Sequence, residues 1–505
     1  MTRSEKLFVA AAVLLLFASF SSLVHPWFVR DADSSMYLAT ARSLADGEGY
    51  RFLGAPFVVR PPGFSLLLAP VVAARGVTDF LWLNGMVAFT GALGVMAAYG
   101  LARPRLGWPL ALAAAAGLWL NPGYQRLATS ILSDVPGTAA ALGCLWWATR
   151  LPPHGERVGV GPIVLLGLAV GLSVWIRSAN LLLVPALALG GVLAAPRAWR
   201  RALRVPAVAL LVAAPWFIYA QAQAPTVAVD QTRLASYGTA MFRADPGDPG
   251  SRRLGWGEVA SRVPTRAVQL SSVLGSRLQT TIKGSEREVG ASSVERWLHA
   301  LLGCLLVAAL AREAWVLGTP ASWFGLGNVA LLLVYFGFQD RLALPVFVLG
   351  GLSTLTWLRD LSTRSLGSAR AALAPAAALL AVTCVDLAPR QGWGAIEAEH
   401  ARVAAESEFV VPFLPVGSRA ATWRGFHHSV FLGRDVFSLH RSVGRRGPVD
   451  GVEAVIDHYG IDTIFLTTGG LAEVRDHLNA RYGEPRRSRG VEFWRVREAG
   501  ASDGE

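Results

Sequence analysis

The chain has 505 residues, 53% of them hydrophobic and only 16% charged, with 47 Lys and Arg against 35 Asp and Glu for a formal net charge of +12. Soluble globular chains carry about a quarter charged residues, so this deficit, together with repeated charge-free runs near the roughly 20 residues that cross a bilayer core, points to a membrane protein. The arginines fall in short clusters between apolar runs rather than along one face, which speaks against a nucleic-acid partner. Three cysteines, Cys144, Cys304 and Cys384, all lie in apolar runs, an arrangement that supports neither a disulfide framework nor a metal cluster.

In chain order the apolar runs predict eleven transmembrane helices, at about 7–25, 80–102, 106–122, 133–149, 158–176, 179–196, 205–222, 297–311, 318–338, 342–358 and 371–388. The first run also has the length of a signal peptide, but it lacks a convincing small-x-small cleavage site and is read as a span. Arg3 and Lys6 precede span one. Arg103 and Arg105 follow span two, Arg150 and Arg157 span four, and Arg197, Arg200, Arg201 and Arg204 span six. Arg312 follows span eight, and Arg359, Arg364 and Arg370 follow span ten. Every cluster falls on one side if the N-terminus is cytoplasmic, and an odd number of spans then places the C-terminus outside.

The predicted fold class is therefore a polytopic α-helical membrane protein of about eleven spans, residues 1–388, carrying a small extracytoplasmic α/β domain, residues 389–505. The α/β reading rests on helical segments from Ile396 to Phe409, Val452 to Tyr459 and Leu471 to Tyr482 alternating with short apolar runs such as Ile464-Phe465-Leu466. Two long polar loops, 26–79 and 223–296, share the outer side with it. The middle loop contains a turn-rich Asp245-Pro246-Gly247-Asp248-Pro249-Gly250 stretch.

The first loop holds the densest set of candidate groups. Arg30-Asp31-Ala32-Asp33 follows the outer end of span one. A short helix through Met36, Tyr37, Ala41 and Arg42 comes next, and then Arg60-Pro61-Pro62-Gly63 opens an apolar stretch too short to span. Carboxylates at the bilayer surface are costly to retain. Glycosyl transfer from a lipid phosphate needs a base for the acceptor proton and cations for the departing phosphate. Asp33 supplies such a base, and Arg60, Arg177 or Arg341 such cations. The spacing equally suits Asp31 and Asp33 as a plain helix cap. Ser133-Asp134-Val135-Pro136 opens span four in the same way, as an N-cap with proline in the first turn or as a site carboxylate. Arg177, in a tight outer hairpin, and Arg341, beside Asp340, suit snorkelling to the interface as well. All these positions map to one face of the membrane. Elsewhere, His427-His428 lacks an acidic or cysteine partner at ligand spacing and reads as a surface pair. Thr467-Thr468-Gly469-Gly470 lacks a phosphate-loop pattern.

At these residues the sequence resembles the GT-C glycosyltransferases, in the branch of protein O-mannosyltransferases and bacterial aminoarabinose transferases. Asp33-x-x-x-Tyr37 with Ala41-Arg42 resembles that branch's D-E-x-x-Y-x-x-x-A-R stretch, with Ser34 in place of the Glu. Arg60-Pro61-Pro62 resembles its K/H-P-P element, Asp134-Val135-Pro136 the acidic opening of span four, and Arg341 with Pro345 its R-Y-x-x-P element. The likeness runs in order through residues 1 to about 360. It implies a polyprenyl-phosphate-linked sugar donor, an inverting transfer and an extracytoplasmic lipid, glycan or protein acceptor, with the chain itself in the inner (plasma) membrane. It further implies Asp33 as base, Asp31 and Asp134 at the acceptor, Arg60, Arg177 and Arg341 on the donor phosphate, and Tyr37 and Arg42 lining the substrate site. No metal or other cofactor is expected. Two other classes fit the composition: a lipid or sugar flippase, which favours polar groups at the bilayer midplane and repeated architecture, and a non-catalytic scaffold with an exported binding domain. The one-sided charges and the absence of a repeat favour the transferase.

Overall fold

The computed structural model describes residues 3–29, 31–151, 159–194, 196, 199–223, 240–246, 251–276, 293–337, 339–366, 393–415, 417–440, 446–467, 472–488 and 491–496. The N-terminal part runs α1 (Arg3–Leu23), α2 (Ala32–Ala45), a two-stranded hairpin, α3 (Gly63–Arg75), α4 (Phe80–Leu106) and α5 (Trp108–Leu120). The chain continues through α6 (Pro122–Ala128), α7 (Asp134–Ala148), α8 (Val160–Ile176) and α9 (Leu183–Ala194). Four further bundle helices follow at Arg204–Gln223, Ser293–Leu317, Pro320–Val334 and Leu344–Leu366. Helices thus stand at the first ten expected spans, and the eleventh, 371–388, lies outside the described residues. Among the described residues five helices are long and apolar enough to cross a membrane: Glu5–Leu23, Phe80–Leu106, Arg204–Gln223, Trp297–Leu317 and Asp340–Ser365. The remaining bundle helices are shorter and reach one another through close packing.

Small residues set that packing. Gly167 and Gly171 on α8 form a small-xxx-small face. A Cβ at either would lie 2.5 Å from Val208 or Val212 of the Arg204–Gln223 helix, so only glycine lets the two axes approach. In the middle loop a helix at Val263–Gly275 was not expected. It lies along the Ser293–Leu317 helix, with Gly275 against the His299 backbone and Gly303 against that of Ser271.

The first loop is a packed layer rather than an exposed segment. Phe28, Tyr37, Leu38, Phe64, Leu68 and Phe80 form a buried core joining α2, α3 and α4, with Val430 of the C-terminal part inserted into it. Burial of each such side chain stabilises by about 1.5–3 kcal/mol, enough in sum to fix α2 against the bundle. The hairpin β1 (Arg51–Phe52) and β2 (Ala55–Pro56) turns at Leu53 and Gly54, both with positive φ. That turn suits the hairpin twist but is unfavourable for leucine. Leu53 is compensated by packing onto the C-terminal core, while Phe52 meets Phe426 at 5.0 Å.

The C-terminal part contains a five-stranded sheet in the order β4-β3-β5-β7-β6, with β3 (Ala420–Thr422), β4 (Val436–Ser438), β5 (Thr463–Leu466), β6 (Arg486–Ser488) and β7 (Val491–Arg495). β3 pairs parallel to β4 and β5, whereas β7 pairs antiparallel to β5 and β6. Every residue of β5 is buried, as expected of a central strand flanked by helices. The Gly425–Leu432 helix lies between α2 and the Trp393–Val410 helix and carries the domain onto the first loop.

Candidate active site

The two carboxylates of the first loop divide their work. Asp31 takes the N-cap position of α2 with extended backbone, and its Oδ1 accepts from the Asp33 backbone N–H at 2.7 Å. Burial pushes the Asp31 carboxyl above the usual aspartate range, against the pull of Arg341; the nearby Asp33 charge pushes the same way as burial. Asp33 stands in the first turn, and its carboxylate turns into the protein. One oxygen accepts from Arg60 and the other from Arg341.

Each of those cations is placed by its own element. Arg60 precedes the prolines that open α3. Its neighbour Gly63 lies so close to the end of α8 that a Cβ there would sit 2.5 Å from the Trp175 carbonyl carbon. Tyr50 fixes the same corner by donating from its hydroxyl to the Arg60 carbonyl at 3.0 Å. Arg341 lies in a 3-10 turn, Asp340–Ala343, just before the Leu344–Leu366 helix. Gln339 Oε1 accepts from Arg341 Nε at 3.0 Å and Nη2 at 2.8 Å, orienting the guanidinium.

The fourth-span carboxylate completes the arrangement. Asp134 is the first residue of α7 and is 3% exposed; it accepts from Arg177 at 2.5 Å and from Arg341 Nη1 at 3.3 Å. Arg177 interrupts the backbone between α8 and the 3-10 turn Ser178–Leu182, and its side chain runs across Gly137. A Cβ on Gly137 would lie 2.8 Å from Arg177 Cβ and Cδ. Ser133, the N-cap of α7, makes no cap bond with its side chain. Its hydroxyl instead meets the Tyr37 hydroxyl at 2.7 Å.

The result is a continuous alternating row, Arg60–Asp33–Arg341–Asp134–Arg177, built from five separate segments. No side chain in it is more than 17% exposed. Three guanidiniums face two carboxylates. A buried ionic row is weak as a source of stability, because desolvation offsets the attraction. Its chemical capacity is different: a phosphate competing for the guanidiniums meets fixed bidentate donors and leaves the carboxylate lone pairs available.

Tyr37 lies one helical turn from Asp33, edge-on to Phe64 and beneath the Arg60 guanidinium at 5.8 Å. Arg42 is elsewhere: it leaves the row and pairs with Asp435 of the C-terminal part at 2.8 Å. The histidine pair read from the sequence as a surface feature is an internal joint. His428 is buried with Nδ1 2.9 Å from Ser407 Oγ, and His427 Nδ1 lies 3.2 Å from Ser35 Oγ on α2. His400 likewise accepts from the Phe28 backbone N–H at 3.0 Å. Sequence spacing held no signal for the contacts of His427 and His400, which join residues 392 and 372 positions apart. Among the described residues no group of three or more His, Cys, Asp or Glu side chains is placed to hold a metal ion.

No protein-family model and no curated protein sequence matches the chain. Solved structures do. ArnT from Cupriavidus metallidurans bound to undecaprenyl phosphate superposes with a TM-score of 0.56 at 12% identity, covering 96% of this chain and 97% of that one. The oligosaccharyltransferase AglB from Archaeoglobus fulgidus, in complex with an inhibitory peptide and a dolichol-phosphate, superposes with a TM-score of 0.56 at 13% identity over 92% of this chain and 70% of its own. The chain has the GT-C fold. The likeness to ArnT extends beyond the helical bundle, because 96% coverage leaves no room to omit the C-terminal sheet. The first loop of this GT-C fold is therefore an interior layer, roofed by the sheet domain and floored by the bundle, with the ionic row beside α2.

Proposed function

We propose that the chain is an inverting membrane glycosyltransferase that moves a sugar from a polyprenyl-phosphate-linked donor to an acceptor hydroxyl or amine on the outer side of the inner membrane. The observation that carries this reading is the row Arg60–Asp33–Arg341–Asp134–Arg177, a set of phosphate donors and carboxylates interleaved within one buried site. Support comes from the full-length GT-C likeness to a structure whose bound ligand is undecaprenyl phosphate. In this reading the N-terminus is cytoplasmic and the sheet domain extracytoplasmic, as the arginine clusters imply.

In this reading the transfer has the following steps. The donor phosphodiester exchanges for a carboxylate on Arg341 and on Arg60 or Arg177, and Asp33 regains lone pairs facing the acceptor. The acceptor heteroatom attacks the anomeric carbon, the bond from that carbon to the phosphate oxygen breaks, and the acceptor proton passes to Asp33. Polyprenyl phosphate leaves with one more negative charge than the donor carried. The same guanidiniums therefore bind the transition state more strongly than the ground state. Asp31 and Asp134 shape the acceptor side, and Tyr37 holds α2 to the start of α7. Asp33 thus works as a base only once donor is present.

Binding of polyprenyl phosphate to the chain in nanodiscs tests the phosphate half of this reading. Saturable binding that weakens by roughly tenfold or more in Arg60→Gln and Arg341→Gln is expected, since each removes a charge-assisted contact. Binding unchanged in both variants would overturn the assignment of the row.

A further inference from the structure

A cavity lies at the opposite end of the bundle from the ionic row, and nothing in the proposed transfer uses it. It has a volume of about 740 Å³ and is walled by Leu101, Leu145, Leu166, Leu187 and Leu349 from five different helices. That volume falls in the range of small-molecule sites, roughly 300–1,000 Å³. Its polar groups gather at one rim, where Arg105, Arg204, Glu313, Thr149 and Thr319 stand at helix ends.

The rim is built rather than incidental. Glu313 is 4% exposed, and its two oxygens are fully engaged: Oε1 by Arg105 at 2.5 Å and Thr319 Oγ1 at 2.8 Å, Oε2 by Ser353 Oγ at 2.6 Å. Arg105 is thereby held at the mouth while still a third exposed. Arg204, the first residue of its helix, is exposed and has no acidic partner among the described residues. The pocket combines an apolar interior with a net positive mouth, at the end of the bundle where Arg103 and Arg312 also stand near the ends of their helices. Basic pockets between helices at that face of a membrane suit anionic lipid headgroups.

We propose that this cavity binds an anionic phospholipid of the surrounding bilayer, with an acyl chain among the leucines and the headgroup phosphate on Arg204 and Arg105. A zwitterionic lipid fills the apolar part equally well but gives the mouth no net charge to pair, so the site selects for the anion. Bound lipid would wedge the Ser293–Leu317, Pro320–Val334 and Leu344–Leu366 helices against α4 and α7. Arg341 lies only a few residues before the last of these.

The test uses the full chain purified from vesicles of phosphatidylcholine alone or mixed with phosphatidylglycerol, with retained lipid identified by native mass spectrometry and the melting temperature followed in parallel. The expected result is one tightly retained phosphatidylglycerol per chain and a higher melting temperature in the mixed vesicles. Arg204→Gln, at an exposed position, should weaken that retention by roughly tenfold, as loss of one charge-assisted contact implies. Ala148→Phe, which fills the cavity, should abolish retention without loss of polyprenyl phosphate binding at the far site. Equal retention of the two lipids, no retained lipid, or phosphatidylglycerol retention unchanged in both variants would each overturn the proposal.

Discussion

Arg341 touches both Asp33 and Asp134, so its replacement separates charge from geometry. Its guanidinium reaches Asp33 Oδ2, Asp134 Oδ2 at 3.3 Å and Gln339 Oε1 at 2.8 and 3.0 Å, using all three nitrogens. Arg341→Gln leaves one positive charge fewer in a site whose carboxylates are 14% and 3% exposed. Breaking a buried pair in this way costs about 3–5 kcal/mol. The informative variant is Arg341→Lys, which keeps the charge. An ammonium is a compact point and cannot contact two carboxylates and an amide held at those separations. At least one charge-assisted bond is lost, about 1.5–3 kcal/mol, or roughly 10- to 100-fold in polyprenyl phosphate affinity. Thermal unfolding in nanodiscs and titration with polyprenyl phosphate measure the two effects. A lysine variant that melts and binds like the parent would refute the bridging role, leaving Arg341 as a generic surface cation.

Three further outcomes follow from the site's construction. Asp31→Asn keeps a good N-cap for the 2.7 Å bond from the Asp33 N–H while removing a carboxyl that burial holds above its ordinary value of 3.8. A raised carboxyl favours the fold below the ordinary value, and that contribution is lost as pH rises through the raised one. Melting temperature against pH should therefore be flatter in the variant and no lower at neutral pH; a steeper curve contradicts the cap assignment. Gly137→Ala should cut donor affinity by roughly tenfold, because the new Cβ meets Arg177 Cβ and Cδ at 2.8 Å and moves that residue out of the row. Gly63→Ala faces Trp175 backbone instead and should lower the melting temperature by an amount equivalent to about 1–3 kcal/mol; the reverse order of severity would sink this reading. For Arg42 and Asp435, a double-mutant cycle on thermal stability should give a coupling of about 1 kcal/mol, modest because Asp435 is a third exposed. Zero coupling would remove that pair as the clamp of the sheet domain.

The parts of the site legible in the sequence were those fixed by local pattern and topology. Apolar run length places ten helices within a few residues of where they stand, since a bundle helix needs its length of apolar surface. The arginine clusters bring Asp33, Asp134, Arg177 and Arg341 to one end of it. What spacing does not contain is pairing. The partners of Asp33 are 27 and 308 residues away: the packing of α3 on α8 through Gly63 brings in Arg60, and the 3-10 turn Asp340–Ala343 brings in Arg341. The sequence alone separated bases from phosphate binders, whereas the folded chain joins them in one row. Arg42 carries a different lesson. Nine residues at about 100° each put it roughly half a turn away from Asp33, on the opposite face of α2. Helical geometry therefore already assigned it to another neighbour, though not which one. His427 was unreadable because its contact with Ser35 depends on the sheet domain settling over the first loop, and His428 because it packs inside that domain against Ser407 and Phe465.

The central claim is that the buried row holds a lipid phosphate while Asp33 takes the acceptor proton. The most direct measurement is release of polyprenyl phosphate from a panel of synthetic polyprenyl-phosphate sugars by the chain in nanodiscs, alongside Asp33→Asn and its binding of polyprenyl phosphate. The account predicts turnover by the parent, loss of at least about a hundredfold in the variant as expected of a missing general base, and retained polyprenyl phosphate binding. Undiminished turnover by Asp33→Asn would contradict it.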